Sequence, residues 1–284
     1  MYKQKLGISI KYNYSIPTTD VVKMLKKIGF DAISPDWKEG PELAAVIETA
    51  RECGMIVQSL HAPFWKAADM WSSDENIYLP AKMELLKTLE DCKVWNVPIM
   101  VVHTWFGFEY EFDASKLNFQ NFEEVIARAK EYGITVAFEN VEGEEYLFAL
   151  MEHYKDNDIV GFCWDSGHEM CLSRPQDMLA KYGDRLVMTH LNDNLGISNY
   201  EGKLIWTDDL HLLPYDGIAD WDENINRLKK SRPMDILNFE VTISSIPNRH
   251  ENDMYGQMGL ELFFTEAYKR ACRIAYRYVK EMEE

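Results

Sequence analysis

The run IVGFCWDSGH, residues 159–168, decides how the rest of the chain is read. Before Asp165 it is apolar or glycine throughout, so a strand here wants burial on both faces, as in a parallel sheet covered by helices. At its C-terminal end the character changes abruptly to Asp165 and then, through Ser166 and Gly167, to His168. The i, i+3 spacing lets a carboxylate and an imidazole face one cavity as the chain turns. Three other apolar runs end the same way: Glu139 in ITVAFEN, His190 in RLVMTHLND and Glu240 in DILNFEVT.

Strand-like runs recur from end to end, at KLGISI (5–10), DAISP (31–35), MIVQSLHAP (55–63), PIMVVHTW (98–105), ITVAFEN (134–140), IVGFCWD (159–165), RLVMTHLN (185–192) and ILNFEV (236–241). Helical patterns lie between them. TTDVVKMLKKIGF opens on Thr/Asp capping chemistry and stops at Gly29; PELAAVIETARECG starts on Pro41 and stops at Gly54. NFQNFEEVIARAKEYG puts Phe119, Phe122, Val125, Ile126 and Ala129 on one face and ends at Gly133. A last helix over about 260–282 carries a stripe through Leu262, Phe263, Ala267, Ala271, Ile274 and Val279. Eight alternations without a Pro/Gly/Ser-rich linker predict a single α/β domain over residues 1–284, a closed (β/α)8 barrel. An open doubly wound sheet is the alternative, but it gives no reason for so many strand ends to carry ligand-type groups. In a barrel those ends converge on one face, where catalysis resides. Two connections on that side are long, at 64–78 and 193–217; both contain Trp and Tyr and read as an aromatic lid.

With 284 residues the chain slightly exceeds one typical barrel, and 46% hydrophobic residues supply a large core. No 18-residue apolar stretch occurs, and the N-terminal run is too short for a signal peptide. The five cysteines form no CxxC pair, which suits reduced thiols and a cytoplasmic protein. A net charge of −17, with no Lys/Arg cluster longer than two residues, disfavours a nucleic-acid partner.

Glu139, Asp165, His190 and Glu240 brought to one spot are three carboxylates and an imidazole, which repel unless a cation sits among them. That pattern predicts a metal site. Of the seven histidines, His61, His103 and His190 stand at strand ends, His168 just beyond one, and His211 in the long connection after the seventh strand. Asp209 and His211 are two apart, so on an extended segment both point to the same side. His153, in a helix, and His250, in a late loop, fall elsewhere.

The segments AFEN, CWDSGH, THLND, DLHLLPYDGIADW and FEVT resemble the xylose isomerase-like TIM barrels, a superfamily of sugar phosphate isomerases and epimerases related to endonuclease IV. The likeness runs from SLHAPF to FEVT and rests on the order and spacing of the motifs together. It implies one Mn, Mg, Co or Zn ion held by Glu139, Asp165, His190 and Glu240. It also implies that His61, His103, His168, Asp209 and His211 bind substrate or complete an endonuclease IV-like set of three zincs. Isomerisation or epimerisation of a small polyhydroxy carbonyl substrate would follow, with Glu139 and Glu240 removing and returning a proton through an enediolate that the ion stabilises. Trp65 and Trp105 would pack on the sugar's apolar face. Family members are commonly homodimers or homotetramers. The segment LNDNLGIS lacks the arginine that fixes substrate in ketose 3-epimerases, and no Gly-rich phosphate cradle is present. The rivals are an inosose dehydratase-type lyase, a zinc phosphodiesterase acting on abasic DNA, and a silent sugar-binding barrel.

Overall fold

The apolar runs pair as parallel strands in the order in which they occur. The computed structural model describes residues 4–172, 176–199 and 203–280. Its elements are β1 (Lys5–Ile10), α1 (Thr18–Ile28), β2 (Ala32–Pro35), α2 (Pro41–Glu52), β3 (Ile56–Val57), β4 (Ser59–His61), α3 (Glu75–Val94), β5 (Ile99–His103), α4 (Gln120–Tyr132) and β6 (Thr135–Glu139). There follow α5 (Glu144–His153), β7 (Val160–Asp165), α6 (Ser166–Cys171), α7 (Met178–Tyr182), β8 (Leu186–His190), α8 (Trp221–Lys230), β9 (Ile236–Phe239), α9 (Asp253–Met258) and α10 (Leu260–Lys280).

The ladders run β3-β2-β1-β9 and β4-β5-β6-β7-β8. Two parallel bridges, Asp36 with His61 and Leu191 with Phe239, join them and close the ring. The third run is therefore one strand interrupted at Gln58, whose N–H still donates to the Ile33 carbonyl. Closure excludes the open doubly wound sheet, because the first strand, β1, pairs with the last, β9, and the strands between them follow in chain order.

Local chemistry explains the helix ends. α4 stops at Gly133, which holds φ 67 and ψ 33, the left-handed conformation that glycine adopts at least cost. α1 departs from expectation: Pro17 occupies the N-cap and no side-chain cap bond forms, so Thr18 and Asp20 sit inside the first turn. In α10 the buried stripe runs through Phe263, Phe264, Ala267, Ala271, Ile274 and Tyr278, whereas Leu262 is 48% exposed. The stretch 64–78 is less open than predicted, since a 3-10 turn spans Ala67–Trp71 and α3 has begun by Glu75. His153 is the last residue of α5. Positions 281–282 of the last helix and 200–202 of the long connection lie outside the described residues. No helix among the described residues is long and apolar enough to cross a membrane.

Side chains inside the barrel stack in layers. Val101, Ala137, Cys163 and Met188, one each from β5 to β8, form a small buried apolar cluster. Two residues further along each strand, on the same side because strand parity has period two, stand His103, Glu139, Asp165 and His190. The polar site therefore rests on an apolar floor built by the same strands.

Candidate metal centre

Glu139 is the hub. Its Oε1 lies 2.9 Å from His190 Nδ1 and 3.4 Å from His168 Nδ1; its Oε2 lies 3.2 Å from His61 Nε2 and 3.4 Å from His103 Nε2. On the far side of His190, the same Nδ1 is 2.8 Å from Glu240 Oε2. One ligand atom from each of Glu139, Asp165, His190 and Glu240 falls in a group spanning no more than 4.8 Å, and all four residues are buried. That span is what donors about 2.0–2.6 Å from a common ion produce. Three more groups meet the same limit and adjoin the first: His61/His103/Glu139, Glu139/Cys163/His190 and His168/Asp209/His211. The structure thus brings all nine predicted polar site residues together.

The protonation pattern tests whether a cation fits. Nδ1 of His61 is 2.9 Å from the Ala62 carbonyl, and Nδ1 of His211 is 3.1 Å from the Glu240 carbonyl. Backbone carbonyls only accept, so in the neutral rings each Nδ1 carries the proton and donates it. The lone pair of Nε2 then faces a carboxylate oxygen, Glu139 for His61 and Asp209, 3.0 Å away, for His211. Two lone pairs at that distance need a cation between them, either a proton or a metal ion. A carbonyl fixing the far nitrogen is also the usual outer support of a metal-bound histidine. The donor set fits divalent ions.

Without an ion, protons take that place. Burial works against charge on His168, but Asp165 and Asp209 outweigh it and hold its pKa well above the ordinary value. His211 is raised to about 9 against its burial, chiefly by Asp209. Burial likewise opposes ionisation of Glu139, yet His190 and the surrounding imidazoles hold its pKa well below the usual carboxylate range. Asp165 is the exception: burial pushes it up to about 6. His103 is driven down to about 4 by burial and stays neutral, with its Nδ1 unpartnered among the described residues.

The long connection after β8 is folded by two buried aspartates. The Asp193 carboxylate accepts the N–H groups of Asn194, Tyr215 and Ala219 and the Trp221 indole N–H. Asp208 accepts from Ser198 and from Arg249. Just beyond Asp208, His211 is held at φ 44, a positive value uncommon outside glycine. The Asp209/His211 pair is therefore set by the positive φ at His211 rather than by an extended segment.

Trp65 is 71% exposed at the rim and meets Phe106 edge-on at 5.0 Å; beside it Phe64 stacks on His103 at 4.7 Å. Trp105 instead lies flat on Tyr146 at 4.1 Å and donates its indole N–H to the Gly107 carbonyl. Two residues outside the sequence candidates complete the ring of strand ends. Lys11 follows Gly7 and Ser9 in the inward register of β1, where Ser9 touches Asn238 of β9. Asp36 follows Ser34 at the end of β2 and bridges His61. The signal for both was the polar group that ends an apolar run, in KLGISIK and DAISPD.

Residues 22–261 match the model of the xylose isomerase-like TIM barrel family. The chain belongs to that family. Similar barrels include the IolI protein with a bound zinc atom, at 18% identity and TM-score 0.75 over 95% of this chain and 98% of that one. L-ribulose 3-epimerase is 13% identical with TM-score 0.76, over 99% and 97% of the two chains. D-psicose 3-epimerase in the presence of D-fructose is 15% identical with TM-score 0.70, over 96% and 98%. At such identities the likeness establishes the barrel fold alone. An uncharacterised protein of Sinorhizobium fredii is 32% identical over 172 residues, 56% of this chain and 52% of the relative, so the chain spans about half the length of the curated relative that it matches.

Proposed function

We propose that this xylose isomerase-like barrel is a metal-dependent isomerase or epimerase of a small polyhydroxy carbonyl compound, working in the cytoplasm. The observation that carries the reading is the convergence of Glu139 and Glu240 on one atom, His190 Nδ1, at 2.9 and 2.8 Å, with Asp165 completing a buried group. A divalent ion held by these four residues would supply Lewis-acid polarisation of a carbonyl and its neighbouring hydroxyl. Glu139 and Glu240 approach from different strands, so one carboxylate takes a proton from carbon and the other returns it. Transfer by both inverts a stereocentre, whereas transfer by one group relocates the carbonyl. His61, His103 and His168 line the pocket as hydrogen-bonding groups, and Trp65 offers an exposed ring to the apolar face of the substrate. Epimerases among the similar structures support this chemistry.

A second reading, a multinuclear phosphoester hydrolase, has one observation in its favour: the groups His61/His103/Glu139 and His168/Asp209/His211 beside the first. The net charge of −17 weighs against a DNA duplex as its substrate. Elemental analysis of the purified protein separates the two. One ion per chain, with deuterium uptake from heavy water into a ketose or inosose, is the expected result. Three zincs per chain with cleavage of an abasic oligonucleotide, and no exchange into any sugar, would overturn it.

A further inference from the structure

We infer that Lys11 and Asp36, the inward strand-end residues of β1 and β2, form a second recognition wall that selects a substrate bearing a carboxylate. This rests on the proposed reaction at the same site.

The strand ends divide by chemistry. β4 to β9 present imidazoles and carboxylates suited to an ion, in His61, His103, Glu139, Asp165, His190 and Glu240. β1 and β2 are followed, in the same inward register, by Lys11 and Asp36, whose backbones adjoin because Asp36 N–H donates to the Ile10 carbonyl next to Lys11. The Lys11 backbone is fixed as well, its N–H donating to Tyr14 Oη at 3.2 Å. Its side chain is half-buried, and its ammonium makes no hydrogen bond or ion pair with any described residue. Burial opposes its charge, but Glu240, Asp36, Asp209 and Glu139 outweigh that and keep it protonated.

An ammonium that is partly open to the site, bonded by no described residue and held charged by nearby carboxylates can pair with an oxyanion that a ligand presents. Those carboxylates repel anions, so a lone cation there does not attract anions in general; it picks out one oxyanion presented at one place. A single ammonium beside the Asp36 carboxylate suits a monoanion better than a phosphate dianion, which would want several donors. Asp36 would accept from a neighbouring hydroxyl. The ligand class is a sugar acid, a polyhydroxy carbonyl compound ending in a carboxylate.

The test is calorimetric binding to the metal-loaded protein, with metal content measured in every sample. The probes are D-glucuronate and D-galacturonate, the neutral ketose D-fructose, and fructose 6-phosphate. The expected result is at least tenfold tighter binding of a uronate than of fructose. Lys11→Met should abolish that preference with metal content unchanged, and Lys11→Arg should keep most of it. Arg preserves charge and bulk, so it also covers the case in which the Met variant does not fold. A wild-type protein that binds uronates no better than fructose, or not at all, overturns the inference; so does tighter binding of the phosphate, or a Met variant that changes only metal content. Deuterium exchange into fructose with no uronate preference would sink this inference while sparing the proposed reaction; no exchange into any sugar would sink the reaction itself.

Discussion

Two layers of the same barrel, two residues apart, have opposite chemistry. The lower one, Val101, Ala137, Cys163 and Met188, is apolar and buried; the upper one, His103, Glu139, Asp165 and His190, is made of ionisable groups, all but the partly exposed His103 equally buried. The strands, their direction and their neighbours are shared, so neither backbone nor burial distinguishes the layers. The upper groups survive burial because each faces a group of complementary charge or a position for a cation. The lower groups supply the water-free floor that strengthens those interactions. Stability is concentrated in one layer and function in the next.

Substitutions can break that comparison. The largest effect is expected for Glu139→Gln, which removes charge from three of the donor groups at once: turnover should fall by roughly 10²–10⁴-fold, with metal lost in elemental analysis. Full metal content with full activity would show that the upper layer is not a metal site. Met188→Ala should do the reverse, costing about 2–5 kcal/mol in urea unfolding through the cavity it leaves, with metal still bound. Loss of metal there instead would mean that the two layers are not separable.

A pH series sharpens the same contrast. In the metal-free protein the folded His211 titrates at about 9, above its unfolded value. Its contribution is fully present below about 6.5 and is lost as pH rises through about 9. Metal-free protein should therefore lose melting temperature over that window, while loaded protein, with ions where the protons were, should not. An identical decline in both forms would refute the exchange of protons for metal. The smallest effect is expected at Cys163→Ala, about 1 kcal/mol, with unchanged metal content, because the thiol, raised to about 12 chiefly by burial, acts as a small apolar plug. Loss of metal from this variant would place the sulfur among the ligands.

Most of the architecture was legible because its signals are local. Apolar runs bounded by helix signals located the strands to within a residue or two, and β1 at Lys5–Ile10 coincides with the run read from the sequence. The polar ends of those runs identified Glu139, Asp165, His190 and Glu240, which the structure gathers into one group. Less visible was the break at Gln58, since an apolar run does not reveal a lost ladder contact within it. Lys11 and Asp36 went unread for another reason: a lysine is not a characteristic metal donor, and Asp36 is a lone carboxylate with no imidazole near it in sequence.

By itself, the sequence determined that the strands are buried on both faces, where each one ends and what group stands there, because an apolar run and its polar end are properties of neighbouring residues. Which of those groups meet was decided by tertiary structure alone. Lys11 and Glu240 are far apart in the chain and share a site only because β1 pairs with β9. The Asp209/His211 pair likewise depends on a loop anchored by Asp193 and Asp208, in which His211 takes a positive φ. Ring closure and loop anchoring are long-range contacts, and no local pattern of residues encodes them.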